Sequence, residues 1–145
     1  MSKKGSFIAD QRGAVAFEMP LIFGILIISL LLPIADVAIA GFQYISAWQA
    51  LRAFGQSIQY STPPDVTDAS NWTSAAVAKA DSKYPISNFQ IICGESSAVC
   101  SAANNLPPRY YSYTTSVTLT PMVLTSVLCP GGSCTYTLPY SERFQ

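Results

Sequence analysis

From Met19 to Ala35 the chain reads MPLIFGILIISLLLPIA, seventeen residues without a charge. Extending the run back to Ala14 adds only Glu18 and further apolar residues. About 20 residues rising 1.5 Å each cover the roughly 30 Å hydrocarbon core of a bilayer, so a transmembrane helix is the expectation. What remains of the 145 residues is enough for one small domain.

Charge fixes the direction of the span. Lys3, Lys4 and Arg12 precede it, and the first basic residue after it is Arg52. The positive-inside bias places the N-terminus in the cytoplasm and the remainder outside. The whole chain is only 11% charged, with 8 Lys+Arg against 8 Asp+Glu. Without a basic cluster past the first dozen residues there is no electrostatic footprint for nucleic acid, and that class is excluded.

A basic segment followed by an apolar run also describes a cleavable secretory signal, and Ala38-Ile39-Ala40 before Gly41 offers a small-residue cleavage pattern. The run from Ala14 to Ala35 exceeds the 7 to 15 residues usual for such a signal and contains a carboxylate near its start. A plain one-span anchor is the other alternative.

Glu18 discriminates among these readings. An acid in a lipid-facing segment costs roughly 2 to 3 kcal/mol at mid-depth, less near an end, and usually has a partner. If the chain were cut after Gly13, a new α-amino group would appear at Ala14, one helical turn from Glu18 and at the same depth. Without such a cut, Glu18 reads as a first-turn acid favoured by the helix dipole.

The basic leader, Gly13, a small apolar residue, Glu at the fifth position after Gly13 and a long apolar helix together resemble a type IV prepilin signal. Within that group, Arg12-Gly13-Ala14-Val15-Ala16-Phe17-Glu18 and the Pro-punctuated run after it resemble the TadE-like minor pilins, or pseudopilins, of tight-adherence (Flp, type IVb-like) pili. The signature covers about Arg12 to Phe42. Ala14 stands where type IV pilins at large usually carry Phe. The resemblance implies a cytoplasmic leader over residues 1–13, processing between Gly13 and Ala14 by a prepilin peptidase, and subunit assembly through Glu18 and the freed amine of Ala14. The implied partners are other pilin or pseudopilin subunits, an inner-membrane assembly platform and membrane lipid. The implied location is the bacterial inner membrane, with the C-terminal domain periplasmic and incorporation into an extracellular pilus a further expectation. A secreted or membrane-anchored cell-surface binding module without a pilus role is the alternative.

Two prolines interrupt the run. Pro20 frees the Ala16 carbonyl and Pro33 that of Ser29, which membrane helices tolerate. Asp36, at the outer end, reads as an interfacial polar cap. Beyond Gly41 the pattern becomes two-faced: Ala47, Leu51, Phe54 and Ile58 lie opposite Gln49, Arg52, Gln56 and Gln59. An amphipathic extension of the same helix is expected, giving one element over 14–60, with the stripe packed on a domain formed by 61–145. Pro63-Pro64 ends it.

The exterior segment opens with a short helix over Asn71 to Lys83, capped by Asp68 or Ser70. Strand-like runs follow at Asn88 to Cys93, Arg109 to Leu119 and Thr135 to Tyr140. The expected fold is α+β: a long N-terminal transmembrane and amphipathic helix, then a small antiparallel sheet with one covering helix, a pilin-like layout. Roughly 85 residues make a marginal core. The four cysteines are therefore candidate staples, and of three pairings the local ones, Cys93–Cys100 and Cys129–Cys134, are expected. Pro130-Gly131-Gly132 forms a turn that brings the second pair together between strands.

Enzymatic function is not expected. There is no His, and Asp65, Asp68, Asp81, Glu95 and Glu142 are scattered. Zinc is disfavoured by the absence of His and of C-x2-C, redox catalysis by the absence of C-x-x-C, and no cofactor motif is present. Tyr110, Tyr111 and Tyr113 are a candidate adhesive patch, although alternate strand residues face opposite ways and some belong to the core.

Overall fold

The structure, a computed structural model, describes residues 11–95 and 97–144, with side chains from Glu18 onward. The expected leader lies outside the described residues except for the helical backbone of its last three. The first element, α1, runs Gln11–Gln59 without a break. At 1.5 Å per residue its 49 residues extend about 73 Å. Both Pro20 and Pro33 are contained within it.

After α1 come α2 (Ser70–Val77), β1 (Ile86–Cys93), β2 (Ala98–Val99), β3 (Arg109–Thr118), α3 (Thr125–Leu128) and β4 (Thr135–Arg143). The four strands form one antiparallel sheet in the order β2-β1-β3-β4. The layout is the expected α+β arrangement, with the outer half of α1 itself laid across the sheet and α2 beside it. Neither sheet edge is a long free template: β2 is two residues long, and β4 carries Pro139 at mid-strand and Glu142-Arg143 at its end.

The stripe on α1 behaves as the two-faced pattern requires. Ala47, Leu51, Phe54 and Ile58 are buried, whereas Gln49, Arg52 and Gln56 are exposed. From the sheet, Tyr111, Tyr113, Thr115 and Val117 of β3 meet this stripe, with Leu138 of β4 beside them. Tyr111 and Tyr113 are both 0% exposed, so the candidate tyrosine patch is corrected: these two are core, and only Tyr110 lies on the other face. The interior is aromatic. Phe54 meets Tyr113 edge-on at 4.9 Å between ring centroids, Phe89 stacks on Tyr113 at 5.9 Å, and Tyr111 stacks on Phe144 at 4.0 Å.

Several boundaries differ from expectation for local reasons. β1 starts at Ile86 because a register shift between Ser87 and Gln90 inserts an extra residue; Ile86 and Phe89, three apart, then both pack on the core. Asn88 takes the positive φ of 52° in that bulge, a conformation Asn tolerates better than most residues. α2 stops at Val77, short of Lys83, as Lys79 and Ala80 close tighter turns and the Asp81 carboxylate accepts the Lys83 N–H at 2.9 Å. Its N-cap is Ala69 rather than Asp68 or Ser70, and the Asp68 carboxylate accepts the Ser70 hydroxyl instead.

Gly55 marks the closest approach of helix to sheet. A Cβ there would collide with Tyr113 Oη, which donates to the Leu51 carbonyl at 3.1 Å. Gly55→Ala is expected to destabilise the sheet domain by about 1 to 3 kcal/mol in denaturant titrations. Tyr113→Phe alone is expected to cost about 1 kcal/mol for the lost hydrogen bond. Because the phenolic oxygen is the obstacle, Gly55→Ala in the Tyr113→Phe background should cost clearly less than in the native chain; strict additivity would refute this role of the glycine.

Candidate functional site

α1 has two different surroundings. From Met19 to Ile34 its apolar side chains are exposed on every side: Leu21, Ile22, Phe23, Ile25 and Leu26 point in successive directions around the axis. The helix is long and apolar enough to cross a membrane. From Ala40 onward one face is buried under the sheet.

Asp36 stands at the junction and is only 1% exposed. Its Oδ1 accepts the Met122 N–H at 2.8 Å, and its Oδ2 accepts those of Val123 at 2.6 Å and Leu124 at 2.8 Å. Two turns further on, Gln43 repeats the attachment: its Oε1 accepts the Thr120 N–H at 3.2 Å and its Nε2 donates to Thr120 Oγ1 at 2.8 Å. The interfacial cap expected of Asp36 is thus corrected to a tertiary clamp. A carboxylate has acceptor capacity for several donors, and here it takes three consecutive backbone N–H groups from the far end of the sheet.

The clamped segment links β3 to β4. It includes α3, which the sequence did not suggest, and then the 3-10 turn Pro130–Gly132. Gly131 and Gly132 take φ of 71° and 79°, which glycine adopts without strain. The turn closes the Cys129–Cys134 disulfide, Cα to Cα 4.4 Å, between α3 and β4 rather than between two strands. Cys93–Cys100, Cα to Cα 4.9 Å, ties β1 to the end of β2. Register puts the two staples at opposite ends of the sheet: Cys93 pairs with Arg109 at the start of β3, and Thr135, next to Cys134, pairs with Thr118 at its end.

Glu18 is exposed on α1 and has no partner among the described residues. Gly13 and Ala14 lie in the helical backbone of the same element, and the Ala14 side chain is outside the described residues. Glu18 and Asp36 are about 27 Å apart along the helix axis at 1.5 Å per residue, so they act separately. Asp65, Asp68 and Asp81 serve local turns. Asp65 accepts the Thr67 hydroxyl and N–H, which hold its carboxyl below the ordinary range. Burial pushes the Tyr111 and Tyr113 phenols up, leaving both as neutral donors. Among the described residues no three His, Cys, Asp or Glu side chains gather into a set that could hold a metal ion.

Compared with family models, curated proteins and solved structures, the chain matches none.

Two measurements test these attachments. In hydrogen exchange, Asp36→Ala should strip protection from the amides of Met122, Val123 and Leu124 by roughly an order of magnitude or more, while those of Tyr111 and Tyr113 keep theirs. Asp36→Asn, with one acceptor oxygen instead of two, should lose less. Non-reducing peptide mapping of alkylated protein should return the two local disulfides and no free thiol; removing either is expected to cost about 2 to 3 kcal/mol for loops this short.

Proposed function

We propose that this chain is a membrane-anchored minor pilin or pseudopilin of the TadE-like type, a structural subunit rather than an enzyme. In this reading it is inserted with its N-terminus inside, is cut by a prepilin peptidase after Gly13, and takes part in assembling or priming a tight-adherence pilus. Its domain over 61–145 then stands in the periplasm or on the pilus.

The observation that carries the proposal is the division of α1. One uninterrupted helix presents an all-round apolar half bearing Glu18, then buries one face of its other half beneath a disulfide-stapled antiparallel sheet. Such a rod offers neighbouring copies or related subunits a packing surface in the membrane and carries an exterior domain with it.

The secretory-signal alternative fares worse against the geometry. Cleavage before Gly41 would discard Asp36 and leave the Met122, Val123 and Leu124 N–H groups without their acceptor. The domain retains its full set of hydrogen bonds only while it stays joined to the residues before Gly41.

Glu18 has a specific part in this scheme. Ionised in an apolar surround it needs a counter-charge, and the freed amine of Ala14, on the same chain or the next subunit, supplies one at matching depth. Pairing between subunits would set their axial register. N-terminal sequencing of the mature chain should begin at Ala14, and Gly13→Leu should leave it uncut. Glu18→Gln should insert, form both disulfides, and yet weaken co-purification with other pilus components by about 2 to 5 kcal/mol, the usual loss on truncating one partner of a buried charged pair. Normal assembly of Glu18→Gln would remove Glu18 from the mechanism, and a first residue of Gly41 would remove the pilin reading itself.

A further inference from the structure

The segment clamped by Asp36 carries apolar side chains outward. Met122 is 74% exposed and Val127 69%, and Val123 is exposed beside them. No charged residue occurs from Tyr110 to Ser141. Leu124 joins Pro33, Ile34, Val37 and Ala38 of α1 in lining an open apolar cleft of about 390 Å³. The loop therefore continues the exposed apolar surface of the helix sideways, at the level where the helix meets the domain.

We infer that Pro121–Leu128 is a membrane-inserting loop, whose exposed apolar side chains enter the outer boundary of the same bilayer that α1 crosses. The inference rests on the membrane-anchored reading above. With Glu18 at the inner boundary of a roughly 30 Å core, Asp36 lies about 27 Å along the helix, at the outer edge of the hydrocarbon. Exposed Phe42 follows about 36 Å along the helix, at headgroup level, where aromatic side chains gather, with Tyr44 just beyond it. Lys83, beside Gln43 and Thr118 on the same end of the sheet, is placed to reach headgroups with its ammonium.

The backbone fits that environment. Irregular chain survives near hydrocarbon only if its polar groups are satisfied within the protein. From Leu119 to Leu124 every N–H has an acceptor: Cys134 O for Leu119, Gln43 for Thr120 and Asp36 for Met122, Val123 and Leu124, while Pro121 has no N–H to satisfy; Val127 and Leu128 donate to the Leu124 carbonyl, and only the Thr125 and Ser126 N–H groups at the start of α3 lack an acceptor among the described residues. A protein partner is a poorer fit, since stable docking buries about 800 Å² on each side and this is a loop tip with three outward side chains.

The test uses the full chain, reconstituted in phosphatidylcholine–phosphatidylglycerol vesicles whose acyl chains are brominated either near the headgroup or near the methyl end. A small fluorophore is attached at Met122→Cys, at Ile28→Cys in mid-span and at Tyr60→Cys just past the far end of α1, after the native disulfides have formed. Strong quenching at 122 by the shallow bromines, at 28 by the deep ones and at 60 by neither is the expected result. Adding Val123→Asp and Val127→Asp should abolish quenching at 122 and leave it unchanged at 28. Quenching at 28 without quenching at 122 overturns the loop inference and leaves the anchor standing. No quenching at 28 overturns the anchor. Shielding of 122 from aqueous iodide that grows with protein-to-lipid ratio, without bromine quenching, assigns the loop to a subunit contact instead and also overturns the inference. A lipid-borne photoreactive carbene probes the unmodified chain in the same vesicles: adducts on the peptide containing Met122 and Val123 support insertion, and their absence beside labelled Ile28 refutes it.

Discussion

The sheet of this protein rests on one stripe of one helix. Asp36, Ala40, Gln43, Ala47, Leu51, Phe54 and Ile58 recur at spacings of three and four, so a single line along α1 faces the domain. Along that line the chemistry changes by stages. Nearest the apolar half the attachment is made by backbone N–H groups donating to a carboxylate and by an amide that both accepts and donates; further out it is made by methyl groups and rings. The change follows from what each partner offers: a loop presents backbone N–H groups, whereas the sheet presents tyrosine and valine side chains. Helix and domain are therefore one body, and the fold of the sheet depends on residues that also end the apolar segment.

A domain of this size has little interior, and its choice of side chains reflects that. Tyr111 and Tyr113 each bury a large ring while their hydroxyls reach backbone carbonyls of Ser61 and Leu51. Thr115, fully buried between Tyr113 and Val117 on the same strand face, gives its hydroxyl to the Pro85 carbonyl at 2.8 Å. Tyr136 likewise donates to the Leu128 carbonyl, fixing α3 against β4. Each of these hydroxyls thus also ties a connecting segment or the helix to the sheet. The disulfides secure what remains, one at each end.

The long helix, its two-faced outer half, the alternation in β3 and the short-range cysteine pairs were legible because each depends on a local period or spacing. Asp36 was not, although it lies on the same three-four line as Ala47 and Leu51. Its position at the end of an apolar run made it look like a boundary charge, and its partners are more than eighty residues away. The bulge at Asn88 escaped for a related reason: an inserted residue breaks the period of two that identifies a strand. For α2, the Ala-rich run promised more helix than the Asp81 turn allows. In the tyrosine cluster, strand alternation permitted two answers, and only the side on which α1 packs decides which rings are core. Glu18 is the reverse case: the role proposed for it comes from the sequence around it, and among the described residues of a single chain it touches no partner.

The two edges of the sheet limit how copies of this molecule could be joined. β2 is too short to template a neighbour, and on β4 the proline ring interrupts the ladder before the charged end is reached. Strand addition is disfavoured at both sides. The exposed apolar half of α1 is a far larger packing surface than either sheet edge, so contacts between copies through the helices would leave each sheet a separate unit with its own hydrogen-bonded ladder.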